Sequence, residues 1–487
     1  MSRPLISAGT VHADWSEANQ AFLSASLKLV KEVLQFHLDH LDEEDKHPEL
    51  LQQRIQAREQ ELATLAQSMS EPPAIVTLCR LFQLTDFERY VLLLCAGIEL
   101  EASFPTLCIS LTENPRCHGP TFGLALAALP QAHWSALVPR APLRFWRLVE
   151  LGQGDGLTTS TIKIDERVLH YLIGLHYLDD HLSGFVRRVD TSESALVPSH
   201  RVLAEKITLN WRNSNAQPPL VQLCGKVSES MRTIAGTAAA EIGLNLYAMP
   251  AHVLPAEPQE LDALVRLWER EALLGNQALL LECEDTHAQD DAREMQVRYF
   301  MENVNGTVIV ASEQRRRLAH RSSIMIDVAK PTGAEQSALW AHLLGARADR
   351  MNGQIRRLTD HFDLGVQTIA AIGAEAAHES DSADALKENL WSACRVQARP
   401  NMDDLAERVA PVAGWDDLVL PKTQIDTLKD VALQVRNRSK VYKQWGFANK
   451  SNRGLGISAL FCGPSGTGKT MAAEVLASDL NLDLYII

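Results

Sequence analysis

Leu23, Leu27, Val30, Leu34, Leu38 and Leu41 recur at intervals of three and four residues. The spacing puts them on one face of a long amphipathic helix, and a stripe of that breadth is a packing face rather than a binding site. Glu43-Glu44-Asp45-Lys46-His47-Pro48 interrupts it, and Leu51 to Leu65 predicts a second helix. From about 74 to 190, helical runs mix with strand-like pieces, Trp146 to Leu151 and Thr158 to Ile164, parted by Gly152-Gln153-Gly154-Asp155-Gly156. Helices followed by a Gly-turned hairpin predict a winged-helix-like region. Asp190 to Ser199 reads as a linker.

Beyond it the pattern changes. Leu220 to Cys224, Ala278 to Asp285 and Thr307 to Ala311 are short apolar runs, as expected of strands buried on both faces of a parallel sheet. Met231 to Ile242 predicts a helix after the first of them. From Pro331 to about Gln397, Leu339, Leu343, Leu344, Ile355, Leu358, Leu364 and Ile369 predict a small helical bundle, with His378 to Asp384 as a loop. Ile457 to Cys462 is again strand-like, and Met471 to Ala477 is made mostly of helix formers.

Between that last strand and helix lies Gly463-Pro464-Ser465-Gly466-Thr467-Gly468-Lys469-Thr470, a complete phosphate-binding loop (P-loop, or Walker A motif). A triphosphate is a dense anion that needs many donors converging from one side, and glycines let successive backbone N–H groups turn inward. Lys469 is suited to the β- and γ-phosphates, the Thr470 hydroxyl to Mg2+, and the following helix, with Met471 in its first turn, adds the positive end of its dipole. Strand, loop and helix come in the order the motif requires.

The chain also resembles itself. At an offset of 238 residues, Leu223-Cys224-Gly225 lies on Phe461-Cys462-Gly463, and Ala235, Ala239, Leu244, Leu246 and Tyr247 lie on Ala473, Ala477, Leu482, Leu484 and Tyr485. This predicts a duplicated nucleotide-binding module. In the first copy Met231 stands for Lys469, Arg232 for Thr470, Ser228 for Gly466 and Ser230 for Gly468, so that copy keeps the core pattern and loses the phosphate contacts.

Ala278 to Asp285 ends in acids, where a nucleotide hydrolase places a metal-shell acid and then a carboxylate that activates water. The second place falls on Cys283. A shifted reading uses Glu284 and Asp285, and a plain one makes them exposed acids at a strand end. Arg315 to Arg317 and Arg321 follow the next strand, either as a solvated face or inter-subunit ion pairs, or, for Arg321, as a finger toward a neighbouring nucleotide.

With 487 residues the expectation is about three domains, and 46% apolar with 22% charged content is that of a soluble globular protein. A net charge of −14 argues against a general nucleic-acid surface. Eight cysteines without a CxxC pair read as buried thiols in a reducing compartment. Neither a signal peptide nor a bilayer-spanning run is seen, so a cytoplasmic protein without membrane contact is expected.

GPSGTGKT, with Trp415-Asp416-Asp417-Leu418-Val419-Leu420-Pro421 upstream of it, resembles the AAA family of ATPases over roughly residues 200 to 487. The resemblance implies that Leu418 and Val419 line the adenine pocket, that the cofactors are ATP and Mg2+, and that the protein forms a homo-oligomeric, generally hexameric ring that remodels an unknown protein client. The amino-terminal region is similar to that of certain bacterial AAA proteins, some encoded beside contractile injection systems. The fold class expected is α/β, P-loop NTPase modules with a parallel sheet and a helical lid after a mainly helical, winged-helix-like region. The expected boundaries are 1–190, 200–400 for the degenerate module and lid, and 401–487 for the start of an ATP-binding module. Carried by 238 residues, the acidic strand of the second copy would fall near 520, past Ile487. The chain is therefore expected to be part of a longer ATPase, to contain no catalytic residue, and to bind ATP with negligible turnover. Two alternatives are a nucleotide-gated scaffold and a DNA-associated ATPase working through the amino-terminal region, nucleic acid being the less expected partner.

Overall fold

The computed structural model describes residues 13–40, 48–112, 119–152, 156–190, 196–214, 217–283, 291–351, 353–379, 383–399, 406–441, 445 and 456–487. By internal packing the chain divides into two compact units, 1–195 with 202–328, and 196–201 with 329–487.

The first unit opens with α1 (Ala13–Asp39) and α2 (Pro48–Ser68), followed by α3 (Ala74–Phe82), α4 (Asp86–Leu100), α5 (Ser103–Thr112), α6 (Phe122–Ala128) and the single turn α7 (Pro142–Phe145). Leu23, Leu27, Val30 and Leu34 are buried as their periodicity predicts, in the core that α1 shares with the apolar run of α4. A capping box starts α4: the Thr85 hydroxyl accepts from Glu88 N, and the Glu88 carboxylate accepts from Thr85 N. The hairpin is shorter than its sequence suggests, with β1 (Val149–Leu151) pairing antiparallel to β2 (Ile162–Ile164). Arg147 at φ 50° turns the chain before β1, Ser160 N bonds back to Gly156 O, and one further bond on each flank, Asp165 N to Leu148 O and Gly152 N to Thr161 O, ends the pairing. α8 (Glu166–Leu172) follows, its first turn capped by Asp165.

The sheet of the first module comprises β3 (Arg187–Arg188), β4 (Leu220–Cys224), β5 (Asn245–Pro250), β6 (Gln277–Glu282), β7 (Val308–Ser312) and β8 (Ser323–Asp327), in the order β3-β5-β6-β7-β4-β8. All neighbours are parallel except the edge strand β3. β4 and β7 are buried along their whole length, which is why they read as unbroken apolar runs. The helices around this sheet are α9 (Pro198–Arg212), α10 (Ser228–Ala240), α11 (Pro258–Gly275) and α12 (Asp291–Asn303). From β4 the chain leaves through α10 to β5 on one flank, while β8 closes the other. The crevice above the carboxyl ends of β4 and its neighbours is thus the switch point where an α/β sheet binds ligands.

Buried ion pairs weld α11 to the winged-helix region. Arg167 makes a bidentate pair with Glu271, both side chains at most 3% exposed. Arg270 pairs with Asp165 and Asp179 and donates to the carbonyls of Trp146 and Arg147.

In the second unit, α13 (Gly333–Leu344), α14 (Gln354–His361), α15 (Val366–Glu379) and α16 (Ala383–Gln397) form a helical lid around Trp340, Leu358, Ile369, Leu390 and Trp391. α13 has its own capping box, Thr332 with Glu335. The loop expected at 378–384 is narrower, since α15 runs to Glu379 and α16 starts at Ala383. Then come β9 (Glu407–Val409), α17 (Lys422–Ser439), α18 (Lys469–Leu480) and β10 (Leu484–Ile486), β9 and β10 being antiparallel. Ile457 to Cys462, expected as a strand, makes no ladder: among the described residues no strand lies beside it, and Leu460 is 89% exposed.

Candidate functional site

Glycine conformation shapes the phosphate loop. Gly466 and Gly468 both sit at φ 81°, where an L side chain is strained, and Gly468 is the residue from which α18 departs. Lys469 and Thr470 open the helix. The Lys469 ammonium turns back over the loop and donates to the carbonyls of Gly463 (3.0 Å) and Pro464 (2.7 Å), while the Thr467 hydroxyl donates to Pro464 O. An ammonium poised over a ring of backbone, with open space around Gly466, is a fit to a phosphate group. Leu418 is buried with Leu428, Ala472 and Val475, and its Cδ1 would stand 3.9 Å from a Cβ added at Gly468, whereas Val419 is 93% exposed and Met471 41%. Of the two residues assigned to the base pocket, one supports the loop from beneath and the other faces solvent. The motif thus brings together Gly463 to Thr470.

The two copies share more geometry than sequence alone displays. Leu244 N bonds to Ala239 O and Leu482 N to Ala477 O, each at 2.9 Å and 238 residues apart. The helix-terminating left-handed residues, Gly243 and Asn481, match in the same register. So do Tyr247 and Tyr485, each opposite an arginine of an antiparallel edge strand, Arg188 or Arg408. Arg212 and Arg436, on the helices α9 and α17, reach Glu241 O and Asp479 in turn. The edge-strand pairing could not be read from the sequence because its spacing differs between copies.

Where the copies diverge is at the mouth of the sheet. α10 begins at Ser228, three residues earlier than its counterpart α18, so helix replaces the loop that would wrap a phosphate. Gly225 persists for packing: a Cβ there would stand 2.4 Å from Val328 O. Arg232, in the place of Thr470, forms a bidentate bridge to Glu282 at the end of β6 (2.8 and 2.9 Å), closing over with its own charges the gap that a metal would span. Arg315 likewise grips Asp327 at the end of β8. Cys283 is buried, and Glu284 and Asp285 lie outside the described residues. Arg321 is no free finger: it donates to the carbonyls of Met301, Val304 and Gly306 around the end of α12, and burial brings its pKa down to about 10. Arg316 pairs with Glu294, so these arginines are intrachain staples.

Cys95, Cys108, Cys224, Cys283 and Cys394 are buried and Cys79 half-buried, with Cys462 exposed; among the described residues no cysteine is disulfide-bonded and no cluster has the makings of a metal site. No described helix is long and apolar enough to cross a membrane.

Two stretches of the chain match known family descriptions. Residues 332–400 match the family described as the contractile injection system ATPase helical domain. Residues 40–186 match the family described as winged helix domain, variant. An uncharacterized AAA family ATPase of Sinorhizobium fredii, y4kL, is 33% identical over 82 residues, 17% of this chain and 23% of that protein. The chain thus matches under a quarter of the length of this curated relative. Among solved structures, the FIGL-1 AAA domain in complex with ADP aligns with a TM-score of 0.34 and 16% identity, over 53% of this chain and 97% of that one. C. elegans PCH-2 aligns with a TM-score of 0.28 and 9% identity, over 40% and 66%.

Proposed function

We propose that this chain, a homologue of AAA family ATPases, binds one Mg·ATP at Gly463 to Thr470 and serves a protein-remodelling or assembly ATPase. The observation that carries the reading is the Lys469 ammonium held over the Gly463 and Pro464 carbonyls at the mouth of α18. Phosphate oxygens offer that ammonium stronger, charge-assisted partners than neutral carbonyls do. Loop N–H groups and the helix dipole would hold the anion, and the Thr470 hydroxyl is the protein's ligand for Mg2+. Bound magnesium would supply charge neutralisation across the β- and γ-phosphates. Leu418 keeps the loop in shape, with Val419 and Met471 available to the base. The first module, with its loop replaced by helix and its acids engaged by Arg232 and Arg315, acts as a fixed platform. Ring assembly and a protein client belong to this proposal, as does hydrolysis by the intact protein.

A scaffold role would use the same binding without turnover. A DNA-reading role has less behind it: the turn before the hairpin, α7, is four residues long, and the Arg266 guanidinium of α11 stands 5.0 Å over its Phe145 ring. Calorimetry with Mg·ATP tests the proposal. One site per chain is expected, abolished in Lys469→Ala and unchanged in Met231→Ala. Equal binding by both variants would sink it.

A further inference from the structure

We infer that the lid of the silent first module positions the nucleotide-binding helix of the second, through Trp391, Arg395 and Arg399 acting on Asn481 and Asp483. This rests on the nucleotide reading of the phosphate loop.

α18 carries Lys469 and Thr470 at one end and is capped at the other by Asn481, about 18 Å away for twelve residues. That far end is held from α16 and the residues that directly follow it. Trp391 Nε1 donates to Asn481 O at 3.1 Å, Arg395 Nη1 to Asn481 Oδ1 at 2.6 Å, and Arg399 Nε to Asp483 Oδ2 at 2.9 Å. The donors are anchored in the lid: the Trp391 ring packs against Phe362 and His361, with the Arg357 guanidinium 4.6 Å over its face.

Comparison of the copies separates this clamp from the inherited fold. In the first copy the residue matching Asp483 is Asn245, whose Oδ1 accepts from the edge-strand Arg188, as Asp483 accepts from Arg408. The repeat therefore explains one arginine at this place. The carboxylate and its two lid arginines are additions, and they occur on the copy whose phosphate loop is complete. A helix moves as a rigid rod, so a lid that holds one end sets where Lys469 and Thr470 lie. Coupling between two binding events is reciprocal, so nucleotide at the loop must tighten the lid contact in turn.

The full-length chain in three forms tests this: wild type, Asp483→Asn with Trp391→Phe, and Asp483→Glu. The double variant keeps an aromatic ring at 391 and removes the charge at 483 and the N–H donor. Its Mg·ATP affinity is expected to fall roughly tenfold, with Asp483→Glu close to wild type. In hydrogen exchange, Mg·ATP should slow the α16 amides in wild type and leave them unchanged in the double variant. A structural role alone would not make α16 respond to nucleotide. If the double variant does not fold, Asn481→Gly keeps the left-handed cap, removes only the Arg395 partner, and should abolish part of the α16 response. Affinity within twofold of wild type, with α16 indifferent to Mg·ATP while Lys469→Ala still abolishes binding, overturns the clamp and leaves the nucleotide site standing. No binding by wild type overturns both.

Discussion

Single residues show how a duplicated sequence can keep a motif's outline for a different reason. Gly225 and Gly463 match in register, but at Gly225 the missing side chain makes room for Val328 O, and nothing in its surroundings concerns phosphate. Gly225→Ala should destabilise the first module by about 1–3 kcal/mol, since backbone rather than a movable side chain meets the new methyl. Chemical denaturation would show it, with Mg·ATP affinity unaltered. The loss of chemistry at Met231 and Arg232 was legible from residue identities. That Arg232 finds Glu282, fifty positions away, was not, because a cross-sheet ion pair leaves no trace in local spacing.

Elements were legible to the degree that their own residues determine them. α1 announced itself by period, and β4 by an apolar run too short for a helix. Ile457 to Cys462 is likewise mostly apolar and forms no strand, for a ladder needs neighbours as well as propensity. The hairpin β1–β2 came out shorter than its strand-like runs, with the left-handed Arg147 just before β1 and the turn at Gly156 to Ser160 before β2, neither marked by local propensity. Least visible was the weld of α11 to the winged-helix region, as Arg270 and Glu271 look in sequence like any charged helical pair. Both are buried, so removing one charge strands its partner in a dry site. Glu271→Gln should therefore cost about 3–5 kcal/mol, read as a drop in thermal or urea midpoint, with the Arg167 guanidinium left uncompensated.

The whole molecule packs as two units, 1–195 with 202–328 and 196–201 with 329–487. Sequence comparison groups sheet with lid, from 200 to 400. Packing places the first sheet in one unit with the amino-terminal helices, where Arg167, Arg270 and their carboxylates lie, and the lid in the other with α18, where Trp391 and Asp483 meet it. Boundaries of this kind depend on contacts made across long separations, and no window along the chain contains both partners.

The thiols make one corner of this molecule addressable. Burial pushes Cys79 up to about 12, and the core thiols are sealed from solvent, so Cys462 is the open sulfur among the described residues. It adjoins Gly463. In a Cys117→Ser background, an alkylating dye should attach there first, and Mg·ATP should slow the labelling severalfold in the parent but not in Lys469→Ala. A fluorophore seated at that sulfur would then report nucleotide arrival in real time, giving the phosphate loop an optical signal independent of any turnover.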